Sequence, residues 1–286
     1  MVGHSTSTSS PNAVRWAAAE AERRQASLRI VHAYPLPQLG QPVQHDVDEL
    51  LHNEASAQLD RIAQSTRRDH PALDITTRLI QAAPVNALRD ESVDAMMTVV
   101  GAKKSSRLAE AILGSVASAI AAVNPAPVAV VHPDHPVDQR GPVIIGIDRS
   151  RVSAAAIEFA FAEAAARSTE LMAVHAWNPA VFTDRLPGNL SDSEVTAFEQ
   201  RANDALSESL AGWGNEFPHV VVTHAVRQGR AATVLLEFSR TASVMVVGRR
   251  PQGEFEALVM GSTSRSLTAH SPCPVVIVRG RDTKRP

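Results

Sequence analysis

The chain has 286 residues, 44% of them hydrophobic, which predicts about two domains with a sizeable core. Its 28 basic and 30 acidic residues leave a net charge of −2, which argues against a nucleic-acid footprint, and Arg67-Arg68 and Lys103-Lys104 read as solvated surface. The single cysteine, Cys273, excludes an internal disulfide framework and fits a reducing cytosol; its place at the head of an apolar run predicts a buried packing role. With no secretory h-region and no apolar run of membrane-spanning length, the expectation is a soluble, cytoplasmic protein with neither membrane nor nucleic-acid partners.

Taken in chain order, the sequence states one unit twice. A short first strand, MVG (1–3), precedes LRIVHAYP at 28–35, which recurs as LMAVHAWNP at 171–179, placing His32 and His175 143 residues apart. VVGAKKSSRLAEAILGSVAS at 99–118 recurs as VVGRRPQGEFEALVMGSTSR at 246–265, now offset by 147. NPAPVAVV (124–131) and SPCPVVIV (271–278) share that second offset, as do Pro71 and Pro218, so the four-residue difference falls between residues 35 and 70. The boundaries follow: a first domain over 1–131, a Pro-rich linker over 132–141 and a second domain over 142–286.

Each domain reads as five strands alternating with four helices. In the second, PVIIGI (142–147) is an apolar strand, residues 153–168 an Ala-rich helix, and LMAVHAW the next strand. A longer amphipathic helix follows near 193–213. Then come HVVVTHAV (219–226), the helix AATVLLEFS, SVMVVG (243–248), a helix from Ser262 and PVVIV (274–278). Short β-branched runs alternating with helices predict an α/β fold: two tandem Rossmann-like domains, each a five-stranded, mainly parallel sheet with helices on both faces. Such sheets bind ligands beyond the carboxyl ends of their strands, where the strand order reverses.

Several residues have polar chemistry to offer. Gly248 follows a strand and Ser262 opens a helix, where Ser is an N-cap with free N–H groups ahead of it that can receive phosphate. Gly261 admits a ligand without a Cβ in its way. The Walker pattern is absent, and no paired carboxylates or nucleophile elbow point to catalysis. His32 and His175 read first as packed, hydrogen-bonded core histidines and second as ligand-edge groups. Tyr34 and Trp177, two residues on, either stack on a base or cap the core. His132 and His135, with Asp134 between, read as exposed linker residues rather than a metal site.

The motifs GIDRS (146–150), VHAW, VVG, GS and CPVVIV resemble the universal stress protein family in its tandem two-domain form, over nearly the whole chain. The family motif is G-x2-G-x9-G-[ST], with a first strand ending in G-[IV]-D; many members bind ATP and others have lost it. The resemblance implies a nucleotide site in the second domain at Gly146, Asp148, Ala176, Val247, Gly248, Gly261, Ser262 and Thr263. ATP is the implied cofactor, with Mg accompanying it, and a homodimer the implied assembly. The middle glycine of the motif is Pro251 here, which removes a backbone donor, and Gly253 is out of register. In the first domain Gly101, Gly114 and Ser115 remain, Lys104 replaces the middle glycine, and Ser5 stands where Asp148 does, so nucleotide binding is expected at the second domain. The function implied is a nucleotide-responsive stress regulator with at most slow ATP hydrolysis or autophosphorylation; the alternative is a nucleotide-free structural or protein-interaction module.

Overall fold

The computed structural model describes residues 1–5, 10–35, 41–104, 111–112, 114–136, 139–148, 153–178, 191–249 and 260–280. The chain divides into two units, Met1–Val137 and Asp138–Pro286.

In the first unit the strands are β1 (Val2–His4), β2 (Leu28–Tyr34), β3 (Ile75–Gln81), β4 (Thr98–Gly101) and, after the two-residue strands β5 (Lys103–Lys104) and β6 (Ala111–Ile112), β7 (Val128–Val131). Their order is β7-β4-β1-β2-β3 and every neighbouring pair is parallel. β5 and β6 form a separate antiparallel pair. In the second unit β8 (Val143–Gly146), β9 (Leu171–Trp177), β10 (Val222–Gln228), β11 (Val244–Arg249) and β12 (Val275–Arg279) take the same arrangement, in the order β10-β9-β8-β11-β12, again all parallel. The first strand of each unit is therefore central, and the order reverses between it and the fourth: between β1 and β4, and between β8 and β11.

Parallel strands need crossovers, and right-handed crossovers on the two sides of a reversal put helices on opposite faces. Accordingly α1 (Ser10–Arg23) packs with α2 (Gln41–Asp69), and α3 (Pro84–Glu91) with α4 (Ser115–Val123). In the second unit α5 (Ser153–Arg167) packs with α6 (Asp192–Leu210); past the one-turn α7 (Trp213–Glu216), α8 (Ala231–Phe238) packs with α9 (Ser262–His270). Strands covered on both faces lose their alternation, so Val128–Val131 and Val143–Ile145 are buried throughout. Ala13, Val14, Ala17, Ala18 and Ala21 give α1 a small-residue stripe that lets it lie close on the sheet. Cys273 is fully buried, and burial pushes its thiol up to about 11.

The register refines the internal repeat. Gly3 pairs with Val31 as Gly146 pairs with Val174, so His4 occupies the place of Ile147 and Ser5 that of Asp148. Both helices that follow the first strands end alike. Gln25 and Ser168 each adopt φ 51°, with Ala26 N–H bonded to Ala21 O, Gln25 N–H to Glu22 O, Thr169 N–H to Ala164 O and Ser168 N–H to Ala165 O. This is the left-handed stop usually given to glycine.

Three expectations need correction. β1 runs to His4 rather than ending at Gly3. The strand expected over 219–226 lies at 222–228, because Val220 N–H closes a turn onto Phe217 O and Val221 is 65% exposed. His132 and His135 are buried, not exposed: the Asn12 Nδ2 of α1 donates to both their carbonyls, at 2.7 and 2.9 Å, and so holds this stretch against the first unit.

Candidate functional site

At the carboxyl edge of the second unit, β8 ends at Gly146 and β11 carries Val247 and Gly248; Val247 pairs directly with Gly146. Gly146 is required by packing. A Cβ there would stand 2.8 Å from Leu235 Cδ1 of α8, so the glycine lets α8 seat against the switch point. Asp148 is exposed just past this strand end. Ile147, Asp148 and His175, with Ala205, Leu206, Glu208 and Ser209 of α6, line a cavity of about 220 Å³. Ala176 stands one residue before the end of β9, half-buried and paired with Arg227.

The phosphate-loop candidates meet the same edge from α9. Its N-cap is Gly261, at φ −57° and ψ 153°, without a side-chain cap; Ser262 is the first helical residue rather than the cap that the sequence predicted. The first intrahelical bond runs from Arg265 N–H to Gly261 O, so the N–H groups of Ser262, Thr263 and Ser264 precede the helical ladder. A Cβ on Gly261 would meet nothing within 4 Å among the described residues, so against these the glycine relieves no clash. Pro251 and Gly253 lie outside the described residues. Beyond Gly248, Arg249 of β11 pairs with Arg279 of β12. Burial, and then the neighbouring Arg279 charge, lower the Arg249 pKa.

His175 is buried, and its Nδ1–H donates to Ile147 O at 2.8 Å, as a packed histidine should. Trp177 stacks on Phe198 of α6, centroids 5.6 Å apart, with only 4% of its surface exposed, so it caps the core rather than presenting a face to a base. Tyr34 instead reaches His52 Nδ1 with its hydroxyl at 2.9 Å.

The first unit's edge is built from different chemistry. Gly101 ends β4, Lys104 sits in β5, and Gly114 caps α4 at φ −59° and ψ 150°, again without a side-chain bond, with Ser115 as the first helical residue. Ser5 offers no carboxylate, and its N–H is folded onto Ser10 Oγ at 2.9 Å. His4, a residue the sequence analysis passed over, packs its ring 5.3 Å from that of His32. His32 is buried, but among the described residues its Nδ1 has no hydrogen-bond partner, so the expectation of a hydrogen-bonded core histidine holds for His175 and fails here. Carrying the 143-residue offset one position past Gly3 would have exposed the difference, since a histidine there replaces an isoleucine. A larger cavity, about 280 Å³, lies at the opposite, amino edge of this unit; Glu20 with Arg24 and Arg29 with Asp94 neutralise one another along its wall.

Among the described residues no group of three or more His, Cys, Asp or Glu could hold a metal, and no helix is long and apolar enough to cross a membrane.

A duplicated parallel sheet with glycines at the switch point and helices on both faces defines a Rossmann-like α/β protein built in tandem. The family model "Universal stress protein family" matches residues 1–132 and 140–279, and the chain belongs to that family. It is 33% identical over 292 residues to universal stress protein Rv2623 of Mycobacterium tuberculosis, covering 98% of this chain and 95% of that one. It is 32% identical to universal stress protein Mb2028c of Mycobacterium bovis, with 98% and 96% covered. A universal stress protein structure from Archaeoglobus fulgidus shares the fold with a TM-score of 0.71 over 98% of both chains at 19% identity.

Proposed function

We propose that this protein is a stress-response regulator that binds adenine nucleotide, ATP, at the carboxyl edge of its second unit. The observation that carries the reading is the position of Asp148, exposed two residues beyond the switch-point glycine Gly146 and on the wall of a polar cavity. A carboxylate there is suited to accept from a ribose hydroxyl or a base amine. Gly248, the open N-terminus of α9 at Gly261, and the guanidinium pair Arg249–Arg279 supply positive potential for phosphates. Binding that changes a conformation or partner surface, with little turnover, suits a site with no positioned nucleophile or general base among its described residues.

The test is calorimetry with ATP on the parent and on two variants, preceded by native mass spectrometry for co-purified nucleotide. A hydrogen bond to a charged group contributes on the order of 1.5–3 kcal/mol, so Asp148→Ala is expected to weaken ATP roughly ten- to a hundredfold. Ser5→Ala should leave it unchanged. Equal losses in both variants, or no ATP bound by the parent, would reject the reading and favour a nucleotide-free interaction module.

A further inference from the structure

The first unit keeps the sheet and the histidine of the second but changes what that histidine meets. His4 and His32 are register partners on the adjacent parallel strands β1 and β2, so both side chains leave the sheet on the same face. Their ring centroids are 5.3 Å apart at 49°. His32 is only 6% exposed, and its Nδ1 is a buried nitrogen with no hydrogen-bond partner among the described residues. The equivalent ring in the second unit, His175, satisfies the same atom on Ile147 O. In the first unit that satisfaction is missing where a second imidazole has been added.

The spacing has a chemical meaning. An imidazole nitrogen lies about 2.0–2.1 Å from zinc in a tetrahedral site, which puts the ring centroid roughly 3.2 Å from the ion. Two such rings at the tetrahedral angle are then separated by about 5 Å, close to the separation seen here. Ser10 completes the arrangement. Its Oγ accepts the Ser5 N–H at 2.9 Å and is hydrogen-bonded to His4 Nδ1 at 2.7 Å, which holds the ring through that nitrogen and leaves Nε2 outside the bond.

We propose that His4 and His32 form a two-histidine site for a divalent transition-metal ion of the zinc class at the carboxyl edge of the first unit. No third His, Cys, Asp or Glu joins them among the described residues, so the remaining positions fall to solvent or to an anionic ligand carried in with the ion. Imidazole nitrogens select zinc and its neighbours over magnesium or calcium. The site is independent of the nucleotide reading, since it uses residues of the other unit.

The experiment is zinc titration of the untagged full-length chain by calorimetry, with cobalt(II) as a spectroscopic probe and thermal unfolding in parallel. The parent is expected to bind zinc, to give the visible absorption of tetrahedral cobalt, and to unfold at a higher temperature with zinc present. His4→Ile, which installs the residue of the second unit, and His32→Asn should each lose tenfold or more in zinc affinity and lose the cobalt signal. His4→Gln, which keeps a polar group facing Ser10, serves the same purpose if isoleucine unsettles the strand. Zinc affinity unchanged in a folded variant, or no zinc bound by the parent, would overturn the proposal.

Discussion

The two units share a strand order, a pair of switch-point glycines and an identically capped fourth helix, yet their carboxyl edges present opposite chemistry. At the end of its central strand the second unit places Ile147 and Asp148, and its buried histidine is satisfied by a backbone carbonyl. The first places His4 and Ser5, folds both onto Ser10, and leaves its buried histidine open. Two substitutions at matched positions thus exchange an acidic, hydroxyl-seeking edge for a pair of imidazoles. The sheet tolerates the exchange because its strands are held by backbone pairing and by the apolar layers beneath. The residues just past the strand ends are free to diverge, which is where a doubly wound fold keeps its ligand chemistry.

The comparison can be pressed hardest below the sheet, where the units agree. Glu20 pairs with Arg24 (i,i+4) at 2.7 Å and with Arg23 (i,i+3) at 2.9 Å, and Glu163 pairs with Arg167 (i,i+4), in both units at the end of the helix that follows the first strand. Glu163 is fully buried and Arg167 nearly so, at 9% exposure, while the arginines on Glu20 are 14% and 25% exposed. Removing one member of a buried pair leaves the other charge uncompensated, which costs about 3–5 kcal/mol. Glu163→Gln should therefore lower stability by about 3 kcal/mol, read from urea midpoints, and Glu20→Gln by clearly less. Equal effects would show that the two ion pairs are buried alike.

A smaller effect separates the switch-point glycines. A Cβ on Gly146 would stand 2.8 Å from Leu235 Cδ1 and 3.2 Å from Cδ2, whereas on Gly3 it would stand 3.1 Å from both Cδ atoms of Leu88. Overpacking a core costs about 1–3 kcal/mol, and the lost glycine freedom returns about 0.4–1 kcal/mol. Gly146→Ala should destabilise by about 1 kcal/mol, and Gly3→Ala should fall near neutral. Thermal unfolding of both variants checks the order, and a larger loss at Gly3 would contradict the packing difference.

The smallest expected effect tests a feature the units hold in common. Gln25 and Ser168 are exposed residues in left-handed conformation at the ends of α1 and α5, which costs a non-glycine residue roughly 1 kcal/mol. Gln25→Gly and Ser168→Gly should each stabilise by about 0.5–1 kcal/mol, by similar amounts. Loss of stability in either would mean that its side chain, not its backbone, supports the stop.

The sequence by itself determined the duplication, the α/β class and most of the elements, because these follow from collinear repeats and from hydrophobic runs whose periods are local. PVVIV and VVG read as buried strands for the reason that they are buried: β-branched runs without alternation suit a sheet covered on both faces. It also marked Asp148, Gly248 and Gly261, since they sit in a spaced motif. What only the tertiary structure decided depends on atoms distant in the chain. His132 and His135 are buried because Asn12, on a helix more than a hundred residues away, donates to their carbonyls. HVVV begins in a turn because Phe217 O takes the Val220 N–H. Gln25 and Ser168 stop helices without glycine because the hydrogen bonds to Ala21, Glu22, Ala164 and Ala165 hold them there. His32 and His175 are the same letter at the same place in a repeat, and only the neighbouring strand determines that one nitrogen meets a carbonyl while the other meets nothing.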